Sequence, residues 1–163
     1  TFTNSYQPYL QNIGFPVKAF SIILPIMFFA EAFGGGVAVK LYGRLGENKM
    51  FGFGMFSIAL ALAWLGIFPV SLSLGILLFY TFLQGLLRPV ISTYSNRYIE
   101  AGHRATVISV QGMIATITAA LMLFLFGVLT DRVGLNNLLI IMGTLVLTLG
   151  SLLLIFKPKE AMQ

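Results

Sequence analysis

The chain reads as an all-α integral membrane protein: five complete transmembrane helices and the end of a sixth, arranged as two inverted three-helix repeats. Three observations predict this. Of its 163 residues, 58% are hydrophobic and 9% charged, where soluble domains carry about a quarter charged residues. Five apolar stretches each approach the ~20 residues that a helix needs to cross a ~30 Å hydrocarbon core. The register of those stretches repeats after 88 residues.

The first stretch, 19–39, contains Pro25, which kinks a membrane helix, and Glu31, the one carboxylate within a span. The second and fifth, 51–69 and 137–156, hold no charged side chain and read as lipid-facing supports. The third, 72–93, places Tyr80, Gln84 and Arg88 at i, i+4 and i+8, one stripe along a helix. In the fourth, 106–129, Gln111, Ala115 and Thr118 share a face. The connections, "KLYGRLGENKM", "VS", "YSNRYIEAGHRA" and "DRVGLNN", are too short for a soluble domain. The runs are too long, and alternate too little, for barrel strands. Residues 1–163 thus form one bundle.

Lys and Arg set the orientation. Lys40, Arg44, Lys49, Arg88, Arg97, Arg104, Lys157 and Lys159 fall on one face, against Lys18 and Arg132 on the other. Eight against two makes the first face cytoplasmic, with the tail inside and the start outside, as expected in a plasma (bacterial inner) membrane. The net charge of +5 is then a matter of lipid headgroups and topology, and nucleic acid is not an expected partner.

With no cysteine and a single histidine, His103, the chain offers no thiolate or histidine metal cluster. H-E-x-x-H, G-x-S-x-G and the G-x-x-x-x-G-K-[ST] loop are absent. No catalytic set and no cofactor are therefore expected, and an enzyme is the reading least supported.

Shifting the chain by 88 residues maps 19–39 onto 107–127 and 51–69 onto 139–157. It also maps "GRLG" (43–46) onto "DRVG" (131–134). Three crossings per unit reverse the membrane face, so the repeat is inverted, a recurrent transporter architecture. Shifted back, 72–93 predicts that 1–5 is the outer end of a preceding helix. The chain opens on Thr1 and is read as a piece of a longer protein.

Several stretches then acquire a common meaning. "YQPYLQNIGFP" (6–16), "KLYGRLGENK" (40–49) and "NRYIEAGHRATVISVQGM" (96–113), with its Arg104–Ser109 core, resemble, in order, connections of the C-terminal half of a major facilitator superfamily transporter. "GVLTDRVG" (127–134) matches that family's cytoplasmic loop signature best, yet the charge count places it outside. The degraded "GRLG", with Gly43, Arg44 and Gly46, becomes the counterpart of the gate loop, lacking the family's Asp at Gly43. Asp131 and Arg132 then cap or orient an outer helix end.

The resemblance implies half of a twelve-helix fold that works by alternating access. It implies a small-molecule solute, protons as coupling ion, a missing N-terminal half as partner, and a leaning toward efflux. Helices corresponding to 19–39, 72–93 and 106–129 would border the path.

Glu31 is the sharpest candidate. An ionised carboxylate facing lipid there costs at least ~2.5–3.5 kcal/mol, so it faces protein or water. It is either a proton-coupling group or a structural hydrogen-bonding group. Gly34, Gly35 and Ala38 follow on its face, as close packing requires. Gln84, Tyr80 and Gln111 are the other path candidates, while Tyr6 and Gln7 border its outer mouth. Arg88, near a span end, reads first as a side chain snorkelling to the headgroups and second as part of the path. The competing function is a non-transporting multi-span scaffold.

Overall fold

The computed structural model describes residues 6–97 and 103–155. Their regular structure is all helical, with no strand among them. Five helices are long and apolar enough to cross a membrane: Val17–Gly46, Lys49–Ile67, Ser73–Thr93, Ala105–Val133 and Leu135–Leu152. The expected stretch 1–5 lies outside the described residues, as do 98–102 and 156–163.

Helix α1, Tyr6–Asn12, is short and ends at Gly14, whose φ of 90° lets the chain turn. Pro16 is extended and opens a tight turn, Val17–Ala19. The helical run Phe20–Ile67 follows and is broken at Gly46. It consists of α2 (Val17–Gly46, counting the entry turn) and α3 (Lys49–Ile67). Helices α4 (Ser73–Arg97), α5 (Arg104–Val133) and α6 (Leu135–Ile155) complete the chain. At ~1.5 Å per residue, the 30 residues of α2 reach ~45 Å, enough for hydrocarbon and headgroups together.

Gly46 (φ 73°, ψ 166°) and Gly134 (φ 81°, ψ 150°) break the chain in the same unusual backbone region. That region is essentially reserved for glycine. The two are 88 residues apart, the last residues of "GRLG" and "DRVG". At each, one helix leads into the next with almost no loop. Asp131 and Arg132 lie within the last turn of α5 rather than in a loop. They do not cap it: Gly134 N–H donates to Thr130 O, and Asn137 Nδ2 donates to Val133 O.

The larger core lies at the α1 end. Tyr9 and Leu10 are fully buried there, against Leu62, Leu65, Leu77, Leu138 and Leu139. Its edges are stitched by polar bonds. Tyr9 OH donates to Leu65 O, Ser71 Oγ donates to Ile13 O, and Asn12 Nδ2 donates to Asn136 Oδ1. A smaller cluster joins Ala38, Met50, Leu86, Leu87 and Val90.

Helix α3 is amphipathic in packing rather than in polarity. Phe53, Phe56, Leu60, Trp64 and Ile67 form an exposed stripe, while Ala59, Ala61, Leu62 and Leu65 are buried. Small residues bring its buried side against α6. A methyl on Gly66 would stand 2.5 Å from Asn136 O, and one on Gly143 would stand 2.9 Å from Ala59 O. The support reading of α3 therefore holds for one face only. Apolar composition tells which surfaces tolerate lipid, whereas close helix approach depends on small residues. Helix α5, expected beside the path, packs chiefly on α6 and, among its described side chains, buries Phe126 alone.

Candidate functional site: an ion pair on touching helices

The crossing of α2 with α4 is made by glycines. A side chain at Gly85 would collide with the Glu31 carbonyl, and one at Gly34 with the Phe82 carbonyl. In glycine a hydrogen points at each carbonyl instead, a weak C–H···O contact that adds to dispersion where backbones touch. Pro89 contributes from one turn on. Having no N–H, it leaves the Gly85 carbonyl without its helical donor. That carbonyl lies toward Gly35, where an added Cβ would be 3.7 Å from it.

Two charges meet above this contact. Arg88 Nη1 is 2.8 Å from Glu31 Oε1. The Glu31 side chain is recessed, at 19% exposure, whereas that of Arg88 is 80% exposed. The sequence reading put snorkelling first for Arg88 and the path second; the structure pairs its guanidinium with Glu31. Helical side chains lean toward the N-terminus of their own helix. From α4 that lean carries the guanidinium back along the span toward Glu31, away from the nearer span end.

The rest of the α4 stripe grades from closed to open. Tyr80 is buried at 4% exposure, within the larger core, and Gln84 is half-buried. Gln84 Nε2 donates to Tyr80 OH at 2.5 Å. The bond holds the amide beside Arg88, one turn before it. Phe33 and Phe79 flank Phe82 with ring centroids 6.1 Å and 6.3 Å away.

Other expected site residues do not join this group. Tyr6 is buried in the core beside Tyr9, so it is a packing residue, while Gln7 is exposed on α1. Gln111 is exposed on α5. Gly43 and Arg44 are exposed on the last turn of α2, and Gly46 supplies the break after it. Away from the spans, burial pushes the Tyr9 phenol above its usual pKa of 10.0, partly offset by a hydrogen bond with Ser73.

Among the described residues no group of His, Cys, Asp or Glu could hold a metal ion. The site is thus an ion pair with a neutral hydrogen-bonded neighbour, set on two helices whose backbones touch at Gly34 and Gly85.

Comparison with known proteins agrees with the architecture. A family model described as Major Facilitator Superfamily matches residues 1–163. No curated protein and no solved structure matches the chain. All-helical, with five apolar spans and matched over its full length, the chain belongs to the major facilitator superfamily.

Proposed function

We propose that this chain is the C-terminal six-helix half of a secondary transporter. With an N-terminal half as partner, it moves a small solute across the plasma membrane by alternating access, coupled to protons at Glu31. The tail is cytoplasmic on this reading, as the eight-to-two distribution of Lys and Arg supports. Membership of the family supports transport in general; coupling and solute are the finer proposal.

The observation that carries proton coupling is the Glu31–Arg88 pair. A charge inside a membrane bundle is costly unless compensated. Neutralising Glu31 strips Arg88 of its counter-charge, so protonation changes what the site binds. Gln84 and Tyr80 supply neutral hydrogen bonding beside it.

The test is flux in proteoliposomes containing the full-length transporter, with an imposed pH gradient and a panel of small solutes. Solute-dependent collapse of the gradient is the expected result. A gradient that no solute affects would favour the scaffold reading.

A further inference from the structure

We infer that α1 is a fixed clasp across the seam of α3 and α6, fastened by Tyr9 and Asn12, and not a movable lid. The inference is independent of any role of Glu31.

The seam has a gap in its backbone bonding, and α1 fills it. Helices α3 and α6 come close where Gly66 meets Asn136: a methyl on Gly66 would stand 2.5 Å from Asn136 O. The residue before Gly66 has a carbonyl that its own helix cannot satisfy. Leu65 O would ordinarily accept the N–H four residues on, but that residue is Pro69, which has none. Leu65 is fully buried, out of reach of bulk water, and a buried carbonyl needs a donor. Tyr9 OH supplies it at 3.1 Å.

Tyr9 and Asn12 stand at i and i+3, on one side of α1. Tyr9 reaches α3, and Asn12 Nδ2 donates to Asn136 Oδ1 of α6 at 3.0 Å. Asn136 thus meets α3 through its backbone and α1 through its side chain. Ser71, in the turn from α3 to α4, adds a third fastening: its Oγ donates to Ile13 O at 3.1 Å. Leu10 is fully buried in the same cluster. Every one of these contacts is made within the chain, so neither lipid nor a partner half is needed to form it.

A lid must leave its seat at little cost. Lifting α1 would uncover Tyr9 and Leu10 and strip Leu65 O of the donor that replaces the missing N–H. Elements that move during function are drawn from the weakly held parts of a fold, and α1 is not one of them. It travels with α3 and α6, and opening at this end of the bundle comes from other elements.

The test uses the full-length transporter in proteoliposomes, with any cysteine outside this cysteine-free chain replaced. The probe is a water-soluble maleimide. Gln11→Cys, on the exposed side of α1, should label readily. Leu10→Cys, one residue away and buried, should label at least ~10-fold more slowly, and at one rate under a pH gradient of either direction. Adding Tyr9→Phe and Asn12→Ala to Leu10→Cys should raise its rate ~10-fold, through the loss of two bonds.

Labelling of Leu10→Cys as fast as Gln11→Cys, or faster under one gradient, overturns the proposal. So does a rate that the two added substitutions leave unchanged. If Leu10→Cys does not fold, amide hydrogen exchange of the unsubstituted protein decides. Ile13 and Phe15, whose N–H groups donate to Tyr9 O and Leu10 O, should exchange slowly; exchange at the rate of an unstructured chain overturns the clasp. None of these outcomes bears on proton coupling, which flux through Glu31→Gln decides separately.

Discussion

Arg88 Nη1 lies 2.8 Å from Glu31 Oε1, and the two side chains leave helices whose backbones meet at Gly85. The pair is therefore held by its scaffold as well as by its charge. Removing one partner of a fully buried pair costs ~3–5 kcal/mol. Arg88 is 80% exposed on the chain, so the pair is not a fully buried one and Arg88→Gln should cost less, nearer ~1 kcal/mol in detergent. Glu31→Gln in the same protein should recover part of that loss. A double-mutant cycle on chemical unfolding in detergent checks it; strict additivity would show that the two groups do not interact.

The glycine crossing makes a sharper stability prediction. Gly85→Ala forces a methyl into the Glu31 carbonyl, so α2 and α4 must move apart. Overpacking of this kind costs ~1–3 kcal/mol. Gly36→Ala, on the exposed side of α2 with nothing within 4 Å, is the control. It should be neutral or stabilise by up to ~1 kcal/mol through helix propensity. Melting temperatures of the two variants should move in opposite directions or differ plainly in size.

Gly46 and Gly134 should respond alike to substitution. Each has a positive φ with an extended ψ, a region that costs a side chain ~1–3 kcal/mol. Nothing crowds either position, so the loss from Gly→Ala is conformational. Similar falls in melting temperature for both variants are expected. A loss at one alone would mean that the two breaks are not equivalent.

Tyr9 gives a pH signature. Its OH donates to Leu65 O, and Tyr9→Phe should cost ~1 kcal/mol. Burial raises its folded pKa above 10.0, so the folded state holds the proton more tightly than the unfolded chain does. The stability tied to that proton is fully present below pH 10.0 and is lost as pH rises through the folded value. Alkaline melting curves should show a drop that Tyr9→Phe reduces.

The spans were legible because hydrocarbon thickness imposes a length on every crossing, and composition reports it directly. The 88-residue register was legible for the same reason, and the shared backbone of Gly46 and Gly134 gives it a structural counterpart. Helix ends were less so. Lys40 and Arg44 look like a loop by polarity, yet α2 runs on to Gly46, because long basic side chains can leave a helix for the headgroups. The Glu31–Arg88 contact was hidden, since no spacing rule links positions 57 residues apart (88 − 31) on separate helices. One signal was available: Pro89 beside Arg88, and Gly85 one turn before it, mark a place where α4 lets another backbone approach. The packing of α3 was missed because alanine and glycine carry no polarity for a pattern to reveal.

The most direct measurement of the central claim is proton-driven transport by Glu31→Gln in proteoliposomes. The amide keeps the shape of the carboxyl and cannot take up a proton. Solute movement driven by a pH gradient should be lost, while exchange of solute down its own gradient persists. Gradient-driven transport at the unmodified rate would contradict the account.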